Sequence, residues 1–363
     1  MNRREFIADT AVMAGGMAAG LTAAAAKEPA RPKILNYNPN MEYRRLGKTG
    51  LMVSAACMGG HWKRLATLMP PGFKGAGYME EDNKNLNNPL FIQNRTDVVN
   101  RCMEVGINYV DACSPQEILA YSKVLRGRRD KMYFGFSWHT REPRYKEWRS
   151  ADKLVEGFEA SLKEAQLDYV DLWRISLPME GISDLGTLLQ VEEATIGALD
   201  KARKQGKARF TGVSSHNRIW LKSIIEQYPN TIQVVLFPYT ANSKELPDDS
   251  VFDAIKKNDV GAFGIKPFAD NSLFVGDSSL TSPHAEEDSR RARLAIRYIL
   301  GNPAITAPIP GMANPHQVDN VAKAVMERRK LDGKEKAELD EAGKRMWANL
   351  DSSHQWLKQW EWV

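Results

Sequence analysis

Between Met52 and Pro310 the chain repeats one pattern eight times: a short apolar or β-branched run, then an amphipathic helical stretch. Such alternation marks βαβ units, because consecutive parallel strands need a crossover and an amphipathic helix supplies it. The runs fall at Met52–Met58, Asn108–Asp111, Met132–Ser137, Val170–Ser176, Ala208–Ser214, Ile232–Phe237, Gly261–Pro267 and Ile305–Pro310. Eight parallel strands predict an α/β fold of the closed (β/α)8 kind, a TIM barrel. Behind Ser150 as N-cap, Leu154, Phe158, Leu162 and Ala165 recur at helical spacing, so a helix is expected to cover one flank. At 363 residues and 43% hydrophobic content the chain can bury a core of that size.

Charge narrows the partners. The 50 basic and 45 acidic residues are dispersed, with no basic run longer than Arg328-Arg329-Lys330, which argues against nucleic acid and leaves a small-molecule substrate as the expected partner. Oligomeric state is not legible. Cys57, Cys102 and Cys113 are an odd count without metal-type spacing, so at most one disulfide could form. Cys57 and Cys113 fall on adjacent strands, where a redox pair is conceivable.

The ends divide from the barrel. Arg3 and Arg4 precede Phe6 and Ile7, an Ala/Gly/Met stretch follows, and Ala24 to Ala26 offer a small-residue cleavage site. This resembles a twin-arginine export signal, which implies the twin-arginine machinery as a partner and a periplasmic or extracellular location. The expected divisions are a signal peptide over 1–26, a linker over 27–40, the barrel over 41–330, and a C-terminal helix with an aromatic tail over 331–363. Trp356, Trp360 and Trp362 in that tail suit either a clamp on the barrel or a partner surface. Gly60–Asn94, long and rich in Asn, Gly and Pro, follows the first strand and is a candidate lid.

Five segments then agree in order with one family. EYRRLGKTGLMVSAACMGG (Glu42–Gly60), GINYVDA (Gly106–Ala112), SLKEAQLDYVDLW (Ser161–Trp173), GKARFTGVSS (Gly206–Ser215) and NPAITAPIPGMANPHQ (Asn302–Gln317) resemble the opening hairpin and the first, second, fourth, fifth and eighth units of the aldo/keto reductases. The resemblance implies carbonyl reduction with NADP or NAD by an Asp, Tyr, Lys and His at the strand ends. In that scheme Tyr donates a proton to the forming alkoxide while Lys, held by Asp, pulls down the phenol pKa.

Asp111 keeps the family's Asp, as a catalytic residue or a structural acceptor. Gln116 stands at the Tyr spacing, with Tyr121 on the following helix; Ser137 stands for the Lys, and Ser176, in DYVDLWRISLP (Asp168–Pro178), for the His. The resemblance gives Ser214 and Ser215 to the nicotinamide carboxamide, but puts Leu236 where the partner Gln belongs, with Gln233 three residues early. It gives Lys266 to a pyrophosphate or an acidic substrate, with an ion pair as the alternative. It gives the loop after strand eight, with Gly311, His316, Gln317 and Asn320, to the phosphate and adenine end, with ordinary helix capping as the alternative. His61, His139 and His216 follow predicted strand ends and could rebuild an acid/base or metal site. Two functions stay open: an exported oxidoreductase with a non-standard acid, and a cofactor-free binding protein or different enzyme on the same barrel.

Overall fold

A computed structural model describes residues 33–69, 83–177, 182 and 184–363, all within one compact unit, Lys33–Val363. The signal peptide, residues 27–32 of the linker and the middle of the candidate lid lie outside the described residues.

Eight barrel strands follow one another in the sheet in sequence order, every pair parallel. They are β1 Met58–Gly59, β2 Tyr109–Ala112, β3 Tyr133–Phe136, β4 Val170–Leu177, β5 Ala208–Ser215, β6 Val234–Pro238, β7 Gly261–Ile265 and β8 Ala307–Pro308. The ring closes where Cys57 N donates to Pro308 O at 3.0 Å and Gly59 N to Pro310 O at 2.8 Å. A helix follows each strand: α1 Pro89–Glu104, α2 Pro115–Val124, α3 Ala151–Ala165, α4 Leu185–Lys204, α5 Arg218–Gln227, α6 Val251–Lys257, α7 Ala285–Leu300 and α8 Pro315–Met326. The strands are apolar on both faces because helices cover one side and the barrel interior the other. Leu154, Phe158, Leu162 and Ala165 are buried on α3, and Ser150 caps it by accepting from Lys153 N.

Several expected strands are shorter than their apolar runs, the first, seventh and eighth among them. Met52–Met58 divides: Met52–Ser54 pairs antiparallel with Tyr43–Arg45, and only Met58–Gly59 joins the barrel. The break is polar, since Ser54 Oγ donates to Ala56 O and Ser54 N to Asn108 Oδ1. The seventh strand stops at Ile265 because Lys266 takes φ 54°, and the eighth keeps two residues in its ladder.

The hairpin plugs the N-terminal mouth of the barrel. Its turn places Leu46, Leu51 and Val53 in the interior cluster with Tyr109, Leu172, Leu236 and Phe263. Gly47 at φ 47° allows it, since a Cβ there would overlap the backbone of Asp259–Gly261. At the other mouth, α9 Gly333–Ala348 leads into a tail whose Trp360 is buried and stacks on Phe237. The tail is pinned by Lys244 N to Glu361 O at 2.7 Å and Val363 N to Lys244 O at 2.8 Å. Trp360 and the half-buried Trp356 act as a clamp, while Trp362 stays 46% exposed beside Lys244. Among the described residues no helix is long and apolar enough to cross a membrane.

Candidate active site

The C-terminal ends of the strands converge on a cavity of about 340 Å³ lined by Asp111, Cys113, Glu117, Ser137, His139, Arg144, Arg174, Ser176, Ser214, His216, Lys266 and His61. A smaller cavity of about 100 Å³ holds Gln317, Asn320 and His316. The two share His61, Lys63, Phe268, Asn271 and Gly311, so they form one groove over the rim.

Asp111 stands next to the end of β2 and is buried against an arginine. Arg174 Nε donates to its Oδ1 at 3.0 Å and Nη2 to its Oδ2 at 2.6 Å, while Arg174 Nη1 donates to Ser214 Oγ at 3.0 Å. Burial pushes the Asp111 carboxyl above its usual range, with Arg174 pulling against it. Burial opposes the charge on Arg174 too, but Asp111 outweighs it and keeps the guanidinium protonated. A cation thus arrives from β4 where β3 offers only Ser137.

Across the cavity, His61 meets Glu117. Ser114 caps α2 with a box in which Glu117, the third helical residue, reaches back to the cap. Glu117 Oε2 accepts from Cys113 N at 2.8 Å and Ser114 N at 3.2 Å, leaving Oε1 to face His61 Nδ1 at 2.6 Å. Gly60 makes this approach possible, since a Cβ there would overlap the carboxylate. Burial alone would raise Glu117, but His61 and the two backbone donors hold it below the usual carboxylate range. Burial opposes a charged ring at His61, yet Glu117 and Cys113 outweigh it and push its pKa up to about 10. A pKa raised this far favours the charged ring at neutral pH, and the side chain keeps 39% of its surface open.

His61, Cys113 and Glu117 place donor atoms within 4.8 Å of one another, a set that could hold a metal. The Cys113 sulfur lies 3.6 Å from His61 Nε2 and 4.0 Å from Nδ1. A sulfur along either lone pair would sit much closer to one nitrogen than the other, so it rests against the ring. The cluster is therefore arranged to hold a proton between ring and carboxylate more than to surround an ion.

The positions that lack Lys and His form a third group. Ser137 Oγ donates to Glu142, whose Oε1 also accepts from Ser176 N at 2.9 Å. Arg144 Nη2 donates to Glu142 Oε2 at 3.1 Å and to Ser176 Oγ at 3.2 Å. Gln116 is buried away from the cavity, accepting from Asn85 Nδ2 at 3.0 Å, and Tyr121 donates to Gly59 O at 3.3 Å with its phenol pushed up by burial to about 12.

The other sequence-derived candidates divide. Ser214 lines the cavity; the Ser215 hydroxyl instead donates to Leu177 O at 2.7 Å and accepts from Asn217 N at 3.0 Å. Leu236 is in the barrel interior, and Gln233 accepts from Thr211 N at 3.2 Å at the start of the sheet. Lys266 lies over the Trp356 ring at 5.6 Å. Asn314 caps α8 by accepting from Gln317 N at 2.9 Å; Gln317 Oε1 in turn accepts from Ala313 N at 2.8 Å, and Asn320 Oδ1 accepts from Arg293 Nη1 at 2.7 Å. Both still line the smaller cavity. His139 faces Cys113 O at 3.2 Å, and burial lowers its pKa. His216 stacks on Trp356 with centroids 3.7 Å apart. All three thiols are free, and Cys57 is buried against Ser54 O.

Sequence reasoning missed Arg174, Glu117, Glu142 and Arg144. Two signals were present: Arg174 is a charge within the apolar stretch Leu172–Ile175, and Ser114-Pro115-Gln116-Glu117 spells a capping box.

A profile described as the Aldo/keto reductase family matches residues 77–344. The chain is 27% identical over 315 residues to L-galactose dehydrogenase of Arabidopsis thaliana, covering 80% of this chain and 90% of that one. It is 30% identical over 179 residues to aldo-keto reductase family 1 member C3 of Homo sapiens, covering 41% of this chain and 52% of that one. Among solved structures, an aldo-keto reductase of Bacillus halodurans in its holo form superposes with TM-score 0.57 at 21% identity, covering 83% of this chain and 96% of that one, a likeness of fold.

Proposed function

The chain belongs to the aldo/keto reductase family, and from that membership we propose that it interconverts a small carbonyl compound and its alcohol with a nicotinamide cofactor, moving the proton through His61 and Glu117. The observation that carries this reading is the His61–Glu117 contact and the buried Asp111–Arg174 pair in one cavity at the strand ends. An elongated ligand fits the groove, which runs from the Ser214 hydroxyl at one end to the N-terminus of α8 at the other. Ser214, Lys266, Gly311, Gln317 and Asn320 are the residues that would hold it. When bound, the nicotinamide supplies or takes the hydride.

As a carbonyl is reduced its oxygen gains charge, and a positioned donor must meet it. His61 donates that proton, and Glu117 orients the ring and stabilises its charged form. Arg174 fixes a positive charge beside Asp111, so the cavity keeps a cation that Ser137 does not provide.

Titration with NADH and NADPH, followed by quenching of protein fluorescence, tests the reading and distinguishes the two cofactors. One is expected to bind. Binding of neither would overturn the reading in favour of a cofactor-free binding protein or a different enzyme on this barrel. Turnover is expected to survive a chelator; its loss, restored by zinc, would make the His61 cluster a metal centre.

The export signal is part of the same proposal: Arg3-Arg4 and the small residues Ala24 to Ala26 support passage through the twin-arginine route. Replacing both arginines with lysine is expected to leave the protein in the cytoplasm, and undiminished export would contradict it.

A further inference from the structure

The three thiols divide by their surroundings. Cys57 and Cys102 are fully buried, and burial pushes both thiols up. Cys113 is half-buried and lines the cavity of about 340 Å³. Its backbone is fixed there: the N–H donates to Glu117 Oε2 at 2.8 Å, and the carbonyl accepts from His139 N at 3.1 Å. The sulfur rests against the His61 ring, 3.6 Å from Nε2, while Glu117 Oε1 meets the same ring at Nδ1, 2.6 Å away. Cys113 also stands immediately before Ser114, the N-cap of α2, so the positive end of a ten-residue helix lies beside it. The two carboxylates that flank it in the chain are turned to cations of their own, Asp111 to Arg174 and Glu117 to His61. A cationic ring and a helix N-terminus activate a cysteine, because positive charge beside the sulfur steadies the thiolate that attacks. The oxidoreductase reading gives this sulfur no part.

We propose that Cys113 is a nucleophilic thiol that captures soft electrophiles of the α,β-unsaturated carbonyl class as they enter the cavity. The cluster supplies both halves of a conjugate addition. The sulfur loses its proton to solvent and bonds to the β carbon; the C=C π pair passes by way of the carbonyl oxygen to the α carbon, which takes a proton from His61. Solvent replaces that proton, so thiol and alkene sum to a thioether with nothing oxidised or reduced overall. His61 acts on the sulfur through its charge, since the sulfur lies on the ring's face, and on the electrophile as a proton donor. The adduct fills the space beside His61, so capture ends any other chemistry of the site. It needs only the thiol and its neighbours and does not rest on cofactor binding.

N-ethylmaleimide, itself an α,β-unsaturated carbonyl compound, tests this on the folded protein at pH 7, with peptide mass spectrometry following each cysteine and N-acetylcysteine as the free-thiol reference. Cys113 is expected to react at least about tenfold faster than the reference, and His61→Gln and Glu117→Gln each to slow it about tenfold or more. Circular dichroism checks that both variants fold. A Cys113 no faster than the reference, or a rate unchanged in His61→Gln, overturns the proposal, because a merely accessible thiol behaves in that way. Fast labelling in a protein that binds neither NADH nor NADPH keeps the nucleophile and removes the oxidoreductase reading. Where a cofactor binds, labelling is expected to abolish turnover in the parent and to leave the turnover of Cys113→Ser at its own untreated level. Equal loss in both overturns capture at Cys113.

Discussion

The two mouths of this barrel are filled in opposite ways. At the N-terminal mouth the hairpin inserts Leu46, Leu51 and Val53 into an apolar interior, and the charges there, such as the Arg45–Asp259 pair, stay about half exposed. At the C-terminal mouth the filling is ionic: Arg174 on Asp111 and Glu117 under His61, each carboxylate nearly or fully buried. Apolar burial stabilises a fold directly, whereas buried ion pairs roughly repay their own desolvation. The lower mouth contributes stability; the upper one spends it on a preorganised electrostatic site.

The largest expected effect comes from splitting a pair at the upper mouth. Arg174→Met leaves Asp111 buried without its cation and is expected to cost about 3–5 kcal/mol in urea unfolding. Adding Asp111→Asn to that variant should return much of the loss. Additive losses from the two changes would show that the pair is not coupled. At the lower mouth, Leu46→Ala is expected to cost about 2–5 kcal/mol through the cavity it opens. It should leave cofactor binding unchanged, since the interior cluster separates it from the rim.

A smaller, pH-dependent effect belongs to Glu117. The His61 pKa stands near 10 in the folded chain, above an ordinary 6.5. The stability that the charged ring contributes is therefore complete below about pH 6.5 and lost as pH rises through about 10. Unfolding midpoints of Glu117→Gln and the parent, compared from pH 6 to 11, should differ most at the acid end and converge at the alkaline end. The variant keeps its capping box, since a Gln at that position accepts from the cap N–H as Glu does.

The lower mouth and the barrel wall were largely legible in the sequence, because alternating apolar runs with helical periods reflect burial directly. Where the reading slipped, at Met52–Met58, a continuous apolar run concealed two strands in different sheets, and only the polar contacts of Ser54 divide them. The upper mouth was legible by position and much less by role. Asp111, Ser214 and Lys266 line the cavity as their strand ends predicted, yet Ser215 turns into its loop. Matching the family's spacing drew attention to Gln116, while the groups that face the cavity came from a neighbouring residue, Glu117, and a neighbouring strand, Arg174. Side chains from different strands meet through barrel closure and register, which single-chain spacing does not encode. His61 was identified among the rim histidines, but its partner lies 56 residues away.

The central claim is that His61 carries the proton. The most direct test is the pH dependence of kcat for aldehyde reduction with the bound cofactor held saturating, in the parent and in His61→Gln. The parent is expected to hold a plateau through neutrality and fall near pH 10. His61→Gln is expected to lose about 10²–10⁴ in kcat at neutral pH, with cofactor affinity retained. A His61→Gln enzyme that turns over like the parent, with the same pH profile, would contradict the account.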